Sequence, residues 1–320
     1  MDQYLFEFKE HLKTLNRSGK TITTYMDHTH YFFNCTKIDD VRKVTPSVVK
    51  KYISELYEHK SVKGKPYSLN TICVKVRALK RFFEYLENRN IILINPAETI
   101  KEPKIEKRLP KAILNPDEAR LILEQPDITT LTGIRDRTIL ELFYSTGMRL
   151  SELCNLTIYD VDLQDKVARI NKGKGSKDRM VPFGKHAVKF LKEYITKVRP
   201  HNTKRNKKSR HLFVNQLGNP IKQQTIIVIV REYAKRAKIN KQVTTHTFRH
   251  TFASQLVKNG ADISYVQKMM GHADVRTTQI YVRSLVLDVK KIHSKTHPRE
   301  KDKEKIRSTK PAIKKAVKKK

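Results

Sequence analysis

The stretch 96–110 (PAETIKEPKIEKRLP) constrains this chain more than any other feature, because it holds three prolines, several charges and no sustained apolar period, while the sequence on either side is periodic. Proline removes a backbone donor and disfavours helix at the preceding residue, so such a segment reads as an extended connection between two folded regions. A length of 320 residues agrees, since one average domain takes roughly 100 to 200. The predicted organisation is a helical domain over 1–95, a linker over 96–110, a second domain over 111–298 and a basic tail over 299–320. In the first domain Tyr4, Leu5, Phe8, Leu12 and Leu15 recur at helical spacing, as do Val74, Val76, Leu79, Phe82, Phe83 and Leu86. Asn16–Lys20 and Ser61–Pro66 supply breaks, and Ser68 or Asn70 is the predicted cap of the following helix. Asn115 followed by Pro116, Asp117 and Glu118 has the composition of a helix start and opens the second domain. There, helical patterns run through 134–143, 152–156, 187–195, 226–237, 248–258 and 263–270. Two short β-like runs, 167–170 and 180–183, flank a basic turn. The predicted fold class is mainly α with a small antiparallel β-sheet in the second domain.

The formal net charge of +35 and a pI near 10.1 create a field that attracts polyanions, which makes nucleic acid the expected partner without separating DNA from RNA. Cys35, Cys73 and Cys154 are scattered and form no CxxC pair, which argues against a disulfide framework or a cysteine zinc site. Residues 1–20 carry charges too close together for a signal-peptide core, and no run approaches the ~18 apolar residues of a membrane span. The expected setting is therefore cytoplasmic, with no membrane insertion. After Pro298 the lysine-dense sequence is expected to be disordered, as a solubility tail or a DNA-tethering arm.

Several polar pieces in the second domain fit phosphoryl transfer. Arg149 follows the Gly147 break at the front of a helix that Ser151 is predicted to open, where its planar, permanently charged fork suits a phosphate. His246 and Arg249, three apart, share a helical face while Phe248 points elsewhere. His250 permits a zinc reading with His246, but the acidic residue of an HExxH pattern is missing. Gly271 and His272 lead through polar residues to Tyr281, and Lys174 sits between glycines in the basic turn, with Lys172 and Lys177 as rivals. Two arginines, two histidines, a lysine and a tyrosine meet the needs of phosphoryl transfer without a metal.

In this order the pieces resemble the tyrosine recombinase family, and in particular the Xer recombinases, which resolve chromosome dimers. The likeness runs from the helical N-terminal domain through the RLPK run at Arg108–Lys111 and the GIRDR run at Gly133–Arg137 to about His297. It implies a two-domain DNA clamp, with 1–95 as the core-binding, SAM-like domain and 111–298 as the catalytic domain. It places the family's catalytic residues at Arg149, Lys174, His246, Arg249, His272 and the nucleophile Tyr281, with Glu152 as a supporting acid that orients Arg149. The reaction it implies forms a 3′-phosphotyrosyl bond at Tyr281 and passes through a Holliday junction, with Lys174 protonating the departing 5′ oxygen and no cofactor, metal or ATP. Partners implied are a double-stranded DNA recombination site and a tetramer, of this chain alone or with a paralogue, on two sites. The apolar residues in 282–293 would dock on a neighbouring protomer. The alternative is a mobile-element integrase or transposon recombinase, which the absence of an arm-type domain ahead of the helical region is expected to disfavour. A type IB topoisomerase and a DNA-binding protein without catalysis are the remaining alternatives.

Overall fold

The computed structural model describes residues 2–58, 64, 66–104, 112–171 and 178–271. Two compact units emerge, 1–107 and 108–320. The first is a helical bundle of α1 (Asp2–Thr14), α2 (Gly19–Thr36), α3 (Pro46–Glu58) and α4 (Leu69–Asn88). Leu5, Phe8 and Leu12 form the buried stripe of α1, as their spacing predicts, but Leu15 is exposed. The helix stops at Thr14 and the chain turns through Asn16 at a φ of 56°, which takes Leu15 off the apolar face. Ser18 and Ser68 cap α2 and α4 by accepting from the backbone of Thr21 and Thr71. Phe8, Phe32, Phe33, Phe82 and Phe83 meet edge to face at the centre of the bundle, with ring centroids 4.9 to 6.4 Å apart.

Residues 96–103 differ from an extended linker. Ala97 and Ile100 are buried in the bundle core, Cys73 donates to the Pro103 carbonyl at 3.2 Å, and Arg77 pairs with Glu102 at 2.7 Å. The apolar residues between the prolines have an α4 face to cover, and burying them outweighs the extended tendency that proline imposes locally. The RLPK run lies outside the described residues.

The second unit contains α5 (Pro116–Leu123), α6 (Leu131–Thr146) and α7 (Leu150–Asn155), then the strands β1 (Val161–Asp162), β2 (Val167–Ile170) and β3 (Arg179–Pro182). It continues with α8 (Lys185–Glu193), α9 (Arg199–Asn202), α10 (Gln223–Arg236), α11 (Thr245–Lys258) and α12 (Ile263–Met270). The strands form one antiparallel sheet in the order β1–β2–β3, with Ala168 opposite Val181 and Ile170 opposite Arg179. Helix α6 is the centre of this unit. Ile139, Leu140, Leu142 and Phe143 are wholly buried, and Asp136, Thr138 and Glu141 are buried too, so the helix is enclosed nearly all round rather than along one stripe. Its polar residues are paired: Arg135 binds Asp136, whose other oxygen accepts from the Tyr233 hydroxyl at 3.1 Å, and Arg137 binds Glu141 and the Leu123 carbonyl. Asn115 and Glu118 complete a reciprocal cap on α5, with Pro116 first in the helix as its sequence predicts.

Candidate active site

Four of the seven site residues predicted from sequence fall within the described structure: Arg149, Glu152, His246 and Arg249. Lys174, His272 and Tyr281 lie outside the described residues, as do the 282–293 segment expected to dock on a neighbouring protomer and the tail.

Arg149 owes its place to two helix ends. Helix α6 terminates at Gly147, which adopts a φ of 58° and donates its N–H to the Phe143 carbonyl. A side chain there would run into the Phe252 ring. The chain then enters α7 with Arg149, rather than Ser151, in the capping position. The reason is Glu152, whose Oε2 accepts the Arg149 backbone N–H at 2.7 Å while Oε1 accepts from the Arg149 guanidinium at 2.7 Å. One carboxylate thus satisfies the helix start and fixes the arginine standing on it.

His246 and Arg249 occupy the first turns of α11, which Thr244 caps by accepting the Thr247 N–H. Phe248 is buried in the core, so the face carrying His246 and Arg249 is turned away from it. The Arg249 guanidinium is also buried and donates to the carbonyls of Gly147, at 2.7 Å, and Met270. These carbonyls stand at the C-terminal ends of α6 and α12, where the helix dipoles are negative and offset the cost of burying a cation. Burial lowers the His246 pKa, and the Arg249 and Arg149 charges lower it further, so the imidazole is held neutral at neutral pH. His250, whose ring centroid is 6.5 Å from that of His246, is lowered by burial and then by His246 and Arg249. Among the described residues no third His, Cys, Asp or Glu joins this pair in a metal cluster.

Arg179 is the residue that sequence reasoning missed. It opens β3, with its side chain 11% exposed, and donates from Nη2 and Nη1 to the two Glu152 oxygens at 2.7 and 3.0 Å and from Nε to the Met269 carbonyl at 2.8 Å. Arg149 donates from Nη2 to the Gly271 carbonyl at 2.8 Å. Consequently three arginines hold three consecutive carbonyls at the end of α12: Arg179 holds Met269, Arg249 holds Met270 and Arg149 holds Gly271. Burial by itself would raise the Glu152 carboxyl, but the bonds from Arg179 and from Arg149 prevail and hold its pKa at about 2. Three guanidiniums against one carboxylate leave this cluster cationic, directly ahead of His272.

Residues 112–286 match the phage integrase family. The chain belongs to that family. Among curated tyrosine recombinases it is 38% identical over 304 residues to XerC of Thermodesulfovibrio yellowstonii, covering 94% of this chain and 98% of the relative. It is 40% identical over 224 residues to XerD of Staphylococcus epidermidis, covering 70% and 75%. The crystal structure of the XerA recombinase is 30% identical, with a TM-score of 0.52 over 93% of this chain and 99% of that one. XerH bound to a palindromic difH substrate, at 23% identity and a TM-score of 0.68 over 92% and 89% of the two chains, shares the fold. As a Xer-like tyrosine recombinase the chain is a site-specific recombinase, an enzyme that cleaves and rejoins DNA.

Proposed function

We propose that this recombinase acts on duplex DNA through Tyr281 as nucleophile, with Arg149 and Arg249 clamping the scissile phosphate. The observation that carries this reading is the convergence of the two arginines, from α7 and α11, on the α12 terminus that leads into His272. A phenol ordinarily loses its proton near pH 10, so Tyr281 needs a base and a cationic field as it attacks phosphorus. His246, kept neutral by burial and by its arginine neighbours, is able to accept a proton at neutral pH, and His272 shares that task. Charge gathering on the nonbridging oxygens is met by Arg149 and Arg249, whose positions are set by Glu152 and by helix-end carbonyls before DNA arrives. Lys174 protonates the departing 5′ oxygen. The 3′-phosphotyrosyl bond retains the energy of the diester, so a second 5′ hydroxyl rejoins the strands without ATP, and the arginines fill the role that a metal plays in other phosphotransferases.

The full scheme is strand exchange in pairs through a Holliday junction by four protomers on two sites, resolving chromosome or plasmid dimers in the cytoplasm. The Xer relatives support it over a mobile-element role. No helix among the described residues is long and apolar enough to cross a membrane. The test is to trap the protein covalently on genomic DNA and sequence the junctions. A single recurrent, partly palindromic site on the chromosome is expected; junctions scattered without a shared sequence would contradict site-specific recombination.

A further inference from the structure

We propose that Arg179 is a positioning residue of the recombination site, locking Glu152, and through it Arg149, to the last turn of α12. The inference rests on the proposed role of Arg149 as a phosphate clamp. Its first support is geometric: all three Arg179 nitrogens are engaged, two on the Glu152 carboxylate as a fork and the third on the Met269 carbonyl. A guanidinium suits this arrangement because its donors are planar and fixed, whereas one ammonium cannot span both partners. The second support is independent of hydrogen bonding. Gly271 has a φ of +60°, and a Cβ there would stand 2.9 Å from Arg179 Nη1 and 3.1 Å from its Cζ. The turn ahead of His272 is therefore built for close approach of the Arg179 fork.

The third support is register. Arg179 pairs with Ile170 in the end rung of the β2–β3 ladder, the rung nearest in sequence to Lys174. One side chain thus joins the α7 start that holds Arg149 and the α12 terminus that leads to His272 to the end rung of the β2–β3 ladder. A surface ion pair would be screened and interchangeable, but the Arg179 and Glu152 side chains are 11% and 6% exposed. Removing Arg179 leaves the Glu152 carboxylate with Arg149 alone and removes the link from Glu152 to Met269, so only the single Arg149 bond to the Gly271 carbonyl still sets Arg149 against the α12 terminus. Misplacements of about 1 Å cost catalysis on the order of 100-fold without touching the reacting atoms.

The test uses full-length wild type, Arg179→Lys, Arg179→Met and Tyr281→Phe on a nicked suicide duplex bearing the mapped site. Single-turnover cleavage at saturating DNA, DNA affinity by mobility shift and melting temperature are measured for each. A second duplex carries sulfur at the bridging 5′ position, a leaving group that needs no proton from Lys174. Both Arg179 variants are expected to cleave about 10- to 100-fold more slowly with affinity within about twofold of wild type. The loss should persist on the sulfur duplex, and adding Glu152→Gln should cost little more, because the two residues act as one unit. Cleavage by Arg179→Lys within about threefold of wild type overturns the inference. So does a loss that disappears on the sulfur duplex, which would assign Arg179 to Lys174 instead. If Arg179→Met melts below the assay temperature, Arg179→Lys decides. A wild-type protein that forms no Tyr281-dependent adduct refutes the recombinase reading itself, which is a distinct outcome.

Discussion

Glu152→Gln is the substitution whose consequence follows most directly from the structure. The carboxylate accepts four hydrogen bonds, from the Arg149 backbone and side chain and from both terminal nitrogens of Arg179. Glutamine keeps the volume but presents one oxygen and an NH₂ group, so a donor faces guanidinium donors and two half-buried cations lose the carboxylate that pairs them. Against burial, which favours the neutral acid, these bonds hold the carboxyl at about 2 rather than its ordinary 4.5. That difference corresponds to roughly 3 kcal/mol of stability at neutral pH. For a unit of this size the loss lowers the melting temperature by roughly 6 to 12 °C. The sign is fixed by linkage: a depressed carboxylate stabilises fully above its unfolded pKa and loses that contribution as pH falls toward 2. Thermal unfolding of both proteins by far-ultraviolet circular dichroism, from neutral pH downward, should show a gap that narrows through the window from 4.5 to 2. A Gln variant within about 0.5 kcal/mol of wild type at neutral pH, or a gap that does not narrow, would refute the reasoning.

Two further outcomes are expected. Since burial and then the two arginines lower the His246 pKa below 6.5, the imidazole is neutral at neutral pH and protonates only at pH values below 6.5. The single-turnover cleavage rate should therefore stay level as pH falls to 6.5 and decline only below it; an acid limb centred above that value would contradict the assigned environment. Gly147→Ala forces a side chain into a left-handed residue and against the Phe252 ring, and moves the carbonyl that Arg249 holds. It should destabilise the second unit by about 2 to 4 kcal/mol, read by urea unfolding, and a loss below about 1 kcal/mol would show that the turn yields easily.

Much of the fold was legible because it rests on local rules. The α1 and α4 stripes, the Ser68 and Asn115 caps and the β2 strand all follow from spacing and from side chains that satisfy helix ends. The His246 and Arg249 pair was legible for the same reason, since a spacing of three fixes a shared helical face. Long-range contacts were not. Residues 96–103 look extended by composition but cover an apolar face that only the folded α4 creates. Arg149 displaced Ser151 as the start of α7 because the deciding acceptor, Glu152, is itself fixed by Arg179 from strand β3. Arg179 carried no sequence signal, standing as one more cation before an apolar run, and its value comes from Met269, which lies 90 residues away.

The central claim is that Tyr281 forms the covalent bond to DNA. The most direct measurement is to incubate the full chain with a nicked suicide duplex, digest the denaturant-resistant complex with protease and locate the nucleotide adduct by mass spectrometry. A 3′-phosphate attached to the peptide containing Tyr281, absent in Tyr281→Phe, is the expected result. An adduct on another residue, or one that persists in Tyr281→Phe, would contradict the account.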